Sequence, residues 1–296
     1  MNKIWILTKR NLIHYYRDKG ALFFSFLSVF IVIGVYIFFL ADMQINNLQS
    51  ELGKSKNISY LVYTWIIGGL LCIPAVSVPI ILLTFKVNDT IEGIQDDFFV
   101  TPVKRCSIML GYVLSAWIAG IIMTIFTLVL GELFILIKGG QLLSIIDLIK
   151  MIGIISILIF SFCGFSFFII IHLKSNSSIT IVNTILNTLI GFLTCLYFPI
   201  GYLSDGISMV IKIFPLSHAT SLLRKIIMEY SMNQLFSNTS EYSMNKLKQD
   251  YGIDLIIGKH ILSTTEMIFS LIIFGIIFYI ASIVVLKRYK KINNMG

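Results

Sequence analysis

Thr180, Asn183, Thr184, Asn187, Thr188, Gly191 and Cys195 fall at i, i+3, i+4, i+7, i+8, i+11 and i+15 of an otherwise apolar run. Helical spacing puts them on one face. Their hydroxyls and amides carry no formal charge, so they offer hydrogen bonds to a solute or a neighbouring helix, not proton or electron chemistry. In hydrocarbon such groups must face protein or water, and the stripe reads either as the wall of an aqueous path or as a helix–helix seam. A second group is acidic. Asp89, Glu92, Asp96 and Asp97 crowd into Lys86–Arg105, with Ile91, Ile94, Phe98 and Phe99 at helical spacing and Pro102 beyond them. An amphipathic helix here is either a solvated connector or a knob docked in another subunit. Adjacent aromatics favour docking, since solvated loops seldom display them.

The remaining reactive side chains are scattered. His14, His172, His218 and His260 form no HExxH or other metal-ligand spacing, and no GxSxG nucleophile elbow occurs. Cys72, Cys106, Cys163 and Cys195 lie far apart in apolar stretches, as buried small hydrophobes do. Gly53–Lys54–Ser55 resembles the end of a phosphate-binding loop, but Leu48 stands where its first glycine belongs. Neither a catalytic centre nor a nucleotide site is expected in this chain. Energy for uphill movement must come from an ion gradient or from a separate ATP-hydrolysing chain.

These groups are carried by 296 residues of which 57% are apolar and 13% charged, with a net charge of +8. Soluble domains have about 25% charged residues, so an ordinary soluble enzyme, a disordered chain and a disulfide-built module are all excluded. In so apolar a chain the basic excess marks the flanks of membrane spans rather than nucleic-acid binding. A span takes about 20 apolar residues as helix. Six runs qualify, and the expected helices are 20–41, 60–85, 106–137, 151–171, 178–199 and 267–286. The expected fold is an all-α integral membrane protein, 1–296 forming one transmembrane domain. Lys3, Lys9, Arg10, Arg17, Lys19, Lys86, Lys104, Arg105, Lys174, Lys287, Arg288, Lys290 and Lys291 fall on one side; the short opposite loops hold Lys54, Lys56, Lys138 and Lys150. By the positive-inside rule both termini are cytoplasmic.

Between the spans, 1–19 reads as an interfacial helix. Lys3, Arg10 and Arg17 fall on one side, facing lipid headgroups, and Met1, Ile4, Trp5, Leu12, Tyr15 and Tyr16 gather on the other. Gly68, Cys72, Ala75 and Pro79 give the second span a small-residue packing face. Glu132 is the one acid inside an expected helix, near its outer end, where it can snorkel. After the fifth span, Pro199 and Pro215 bracket Ile207–Phe214, too short to cross a bilayer and expected to dip into the outer leaflet within 200–230. Residues 231–264 are polar and read as an extracellular loop or cap.

The acidic loop helix around Glu92, the following TPVKR (Thr101–Arg105) and FPLSHATSLLR (Phe214–Arg224) together resemble the type-two ABC exporter permeases, most closely the daunorubicin/multidrug-export branch. The likeness runs through the whole chain, with a basic leader, six spans and a broken segment before the last. Phe214 departs from it, standing where many relatives carry a polar residue. The resemblance implies a permease without cofactors of its own, with ATP and Mg on the partner. It implies pairing with a second permease, as homodimer or heterodimer, and with two copies of a separate ABC ATPase in a bacterial cell membrane. It further implies that Glu92, Asp96, Asp97, Phe98, Phe99 and Arg105 couple to the ATPase. The second and fifth spans, with Thr180, Asn183, Thr184, Asn187, Thr188 and Gly191, border the path, and Pro199, Pro215, His218 and Arg224 form an outer gate. The implied function is export of an amphipathic drug, antimicrobial peptide or lipid-like substrate. A non-transporting immunity or assembly subunit is one alternative. An ion-coupled secondary transporter is another, though it needs ionisable residues at mid-membrane and only Glu132 comes near.

Overall fold

A computed structural model describes residues 3–35, 40–53, 55–101, 103–237 and 241–293. The chain is almost entirely helical: α1 (Lys3–Arg17), α2 (Lys19–Val35), α3 (Ala41–Leu52), α4 (Lys56–Leu70), α5 (Cys72–Ile91), α6 (Ile94–Phe99), α7 (Arg105–Ile137), α8 (Ile145–Ile170), α9 (Asn176–Leu193), α10 (Asp205–Ile213), α11 (Pro215–Ile227), α12 (Glu229–Phe236), α13 (Glu241–Asp250) and α14 (Thr264–Asn293). A two-stranded antiparallel hairpin, β1 (Ile256–Ile257) and β2 (His260–Ile261), precedes α14.

Among the described residues, five helical segments are long and apolar enough to cross a membrane: Asn57–Ile91, Cys106–Ile137, Ile145–Ile170, Asn176–Leu193 and Thr264–Lys287. They coincide with the second to sixth expected spans. The first expected span follows α2 and then enters residues 36–39, outside the described residues. The α10–α11 pair, bent by 83°, makes a sixth apolar unit. Several bounds differ from expectation, because helices tolerate charge in their end turns. α8 starts six residues before Met151, its Ser144 cap accepting the Asp147 N–H while Asp147 pairs with Lys150 at 2.8 Å. The second span runs past Phe85 to Ile91, taking Lys86 and Asp89 into the helix. Conversely, α9 stops at Leu193, and Cys195 adopts a left-handed φ of 47° while the Leu196 N–H closes back on the Gly191 carbonyl. Cys195 is therefore off the polar stripe.

The α4–α5 span lies deepest, with α7, α8, α9 and α11 packed around it. α8 also carries α14 along its length. Gly68 and Gly69 let α11 approach α4 closely: a Cβ at Gly68 would stand 2.8 Å from Cγ of Arg224. The small-residue face continues at Cys72, whose Sγ lies 3.3 Å from Thr220 Oγ1, and at Pro79, packed on Gly120 of α7. Of the cysteines, Cys72, Cys163 and Cys195 are buried, but Cys106 is exposed at the start of α7. The 231–264 stretch is also more ordered than a polar loop. Leu247, Tyr251, Ile253 and Leu255 are buried, and Trp65 Nε1 donates to the Tyr251 carbonyl at 2.8 Å, fixing this cap to α4.

Candidate functional site

At the end of the bundle where α7 begins, α1 lies against α7, with Thr8, Asn11 and Tyr15 buried beneath it. Thr8 Oγ1 donates to the Gly111 carbonyl at 3.4 Å, and Asn11 Nδ2 to Ser115 Oγ at 3.4 Å. The outward face presents Trp5, Ile6, Ile13 and Tyr16, all exposed. Trp and Tyr on such a face suit the bilayer interface. Arg10 corrects the expectation that the cations of this helix face lipid. It turns inward and grips Asp89 of α5 with both guanidinium arms, Nη2 reaching Oδ1 at 2.8 Å. The Tyr112 hydroxyl donates to the same carboxylate. The two-armed hydrogen bond to Asp89 and the nearby negative charge hold the Arg10 guanidinium even further into its charged form, outweighing the opposing cost of partial burial. Nothing in the local spacing marks this triad, since Arg10 and Asp89 are 79 residues apart.

The acidic connection folds as two pieces rather than one helix. Gly93 takes a φ of 78°, open to glycine but strained for other residues, so α5 ends and α6 restarts as a six-residue turn. Thr90 Oγ1 lies 2.7 Å from Gln95 Oε1 across the break. The exposed part of this knob is Ile91, Glu92, Asp97 and Val100, the last 86% accessible. Phe98, expected to be displayed, is half-buried with the Arg10 guanidinium 5.5 Å from its ring centroid. The side chains of Asp96, Phe99 and Arg105, and the whole of Pro102, lie outside the described residues.

Along α9, Thr180, Thr184, Asn187 and Thr188 are exposed and Asn183 is half-buried, so the stripe shares one accessible face. Gly191 is buried, with Tyr197 packed where its side chain would be, 2.5 Å from a Cβ there. The hydroxyls are not unpaired, as the sequence suggests. Thr180, Thr184 and Thr188 each donate to the carbonyl four residues back, at 2.9–3.1 Å. Asn187 spends one N–H on the Asn183 carbonyl at 2.8 Å. What remains is the Asn183 carboxamide and the Asn187 amide oxygen, which make no hydrogen bond to another described residue. The strip of α9 next to it exposes Ile181, Ile185 and Leu189. The second span is largely enclosed by its own chain; its accessible row is Ile73, Ser77, Ile81, Phe85 and Asn88, each half-buried. Steps of four, and a last step of three, mark that row in the sequence, but its mixed chemistry hides it.

At the other end, the residues expected at a gate are packed inward. Pro199 is buried, and Pro215 opens α11, where its missing N–H is harmless. His218 is buried, its Nε2 donating to the Lys212 carbonyl at 2.8 Å and its Nδ1 within hydrogen-bond distance of Ser270 of α14. Arg224 is 1% exposed. Its guanidinium stacks on Trp65, 4.3 Å from the ring centroid, and reaches the carbonyls of Trp65 and Cys195 at 3.3 Å. His218 and Arg224 thus brace the α10–α11 elbow against α14 and α4. Glu132 does not snorkel: it is 9% exposed, with Oε2 accepting the Leu143 N–H at 2.9 Å.

A search of curated proteins returns no match. A family model does: that of the ABC-2 family transporter proteins matches residues 40–284, which takes in every helix from α3 to α13 and most of α14. With its apolar helices, this makes the protein a multi-pass permease subunit whose family acts with an ABC ATPase. By that match, the chain belongs to the ABC-2 family of membrane transporters.

Proposed function

We propose that this permease, a second permease (the same chain or a different one) and two ATPase subunits form an exporter, in the daunorubicin/multidrug-like manner, for an amphipathic drug, antimicrobial peptide or lipid-like cargo. The observation that carries this reading is the pair of carboxamides one turn apart on the accessible face of α9. Asn183 and Asn187 retain hydrogen-bonding groups that their own helix does not satisfy, on a segment of spanning length. Exposed to lipid, each unpaired group costs several kcal/mol; facing a second permease across a wet path, each is satisfied. Hydrogen bonds of about 0.6–2 kcal/mol hold an amphiphile loosely enough to release it. On the cytoplasmic side, Ile91, Glu92, Asp97 and Val100 form the exposed knob for the ATPase. Six spans with both termini inside, and a re-entrant α10–α11 elbow in the outer leaflet, complete the reading. The basic residues flanking the spans and the 83° bend support it.

Replacing Asn183 and Asn187 together by leucine tests it. With the complex reconstituted with its ATPase, the double variant is expected to lose export or change its cargo preference while still cross-linking as a dimer. Normal export combined with lost dimerisation makes the stripe a packing seam and overturns the path.

A further inference from the structure

Lys86 is used neither by the exposed face of the knob nor by the α9 stripe, and its surroundings are unusual for a cation. It lies inside the spanning segment Asn57–Ile91, one turn before Asp89, and is only 8% exposed. A lysine that merely snorkels keeps its head in water; here the whole side chain is nearly enclosed. Among the described residues its ammonium has no hydrogen-bond or ion-pair partner. Asp89, the nearest acid in sequence, is spent on Arg10 and Tyr112, and Glu92 and Asp97 lie exposed on the knob. A buried charge left in this state is strongly disfavoured until a counter-charge arrives.

A second donor stands at the same elbow. Gln95, 7% exposed, folds back from α6 onto Thr90, whose Oγ1 lies 2.8 Å from the Lys86 carbonyl oxygen and 2.7 Å from Gln95 Oε1. Thr90 and Lys86 are one turn apart on the same face of α5, so Thr90 joins the Gln95 carboxamide to the lysine's face. With Oε1 turned to Thr90, the amide Nε2 has no acceptor among the described residues. Neither donor is sealed. Among the described residues, the partnerless buried atoms closed to solvent are Gln44 Nε2, Glu132 Oε1 and Ser166 Oγ. Lys86 Nζ and Gln95 Nε2 each keep some accessible surface, through which an acceptor can reach them. Their level in the molecule says which acceptor is close. Arg10 ties Asp89 to α1, whose exposed Trp5 and Tyr16 suit the bilayer interface. Lys86 is about 4.5 Å from Asp89 along the helix axis, so lipid headgroups lie within its reach.

We propose that the α5–α6 elbow binds a phosphate-type oxyanion, with Lys86 giving charge-assisted hydrogen bonds and Gln95 Nε2 a neutral one. Its source is either the headgroup phosphate of a phospholipid or free inorganic phosphate. Held there, the anion ties α6 to α5 across Gly93. The test needs no ATPase. Full-length protein, stripped of lipid in dodecyl maltoside, is titrated calorimetrically with inorganic phosphate and with dihexanoylphosphatidylglycerol below its micellar concentration. Saturable binding of at least one probe is expected, at least tenfold weaker in Lys86→Gln and unchanged in Lys104→Gln, an exposed lysine at the same end. The probe that binds more tightly identifies the source. Binding of neither probe, equal affinity in wild type and Lys86→Gln, or an equal loss in Lys104→Gln overturns the proposal. Should Lys86→Gln fail to fold, Gln95→Glu replaces it. The carboxylate then occupies the lysine, so a loss of at least tenfold is expected, and unchanged affinity rejects the site.

Discussion

Asp89 is held by two partners from different parts of the chain, Arg10 of α1 and Tyr112 of α7, at the point where the second span ends. The carboxylate is 7% exposed and the arginine 36%, so the pair sits at the border between buried and surface ion pairs. Removing the arginine leaves a nearly buried charge with one hydroxyl donor. Arg10→Ala is expected to destabilise the protein by about 1–3 kcal/mol, toward the lower end because the guanidinium is part-solvated. Arg10→Lys is expected to fall between wild type and Arg10→Ala, since an ammonium cannot reproduce the two-armed grip. Thermal unfolding of the purified variants in one detergent gives the order. If lysine proves as good as arginine, charge rather than fork geometry holds the joint.

At the scale of elements, the α4–α11 seam depends on Gly68 and Gly69 making room for Arg224. Gly68→Val brings atoms within 3 Å of the Arg224 stem, and overpacking of this kind costs about 1–3 kcal/mol. Gly153→Val is the control, because nothing lies within 4 Å of its added Cβ. The fraction of monodisperse protein and its unfolding temperature are expected to drop for Gly68→Val and to stay near wild type for Gly153→Val. Helices of this kind were largely legible in the sequence because length and apolarity define them. Their ends were less so: Asp147, Lys150, Asp89 and Glu266 all lie inside end turns that counting uncharged residues cuts off. α3 was missed altogether, although Ala41, Ile45 and Leu48 are buried at helical spacing, because its polar residues read as loop. The stripe on α9 was visible as a face. Its threonine hydroxyls bonding to their own backbone was not, since side-chain rotamers leave no trace in spacing. Pairings between distant segments, Arg10 with Asp89 and Arg224 with Trp65, lie beyond any local pattern.

For the whole molecule, the cysteines supply a topology test without new labels on one side. Cys106 is the exposed thiol among four, and the others are buried. With both termini inside, a membrane-impermeant maleimide is expected to label Cys106 in inside-out vesicles and not in intact cells. A cysteine at the exposed Asn245 of α13 is expected to react in intact cells. The reverse pattern inverts the topology. The enclosure of α4–α5 also bears on the order in which the chain is made. This span leaves the ribosome before α7, α8, α9 and α11, which wall in most of it, and its apolar length lets it wait in lipid. Asp89 does not wait alone, because Arg10 has already been synthesised. The groove at Gly68 and Gly69, by contrast, stays empty until Arg224 emerges more than a hundred and fifty residues later. Biogenesis therefore closes from the amino end first, and the α4 groove is latched only when α11 arrives, so a ribosome stalled before that helix leaves its nascent chain inserted but unlatched.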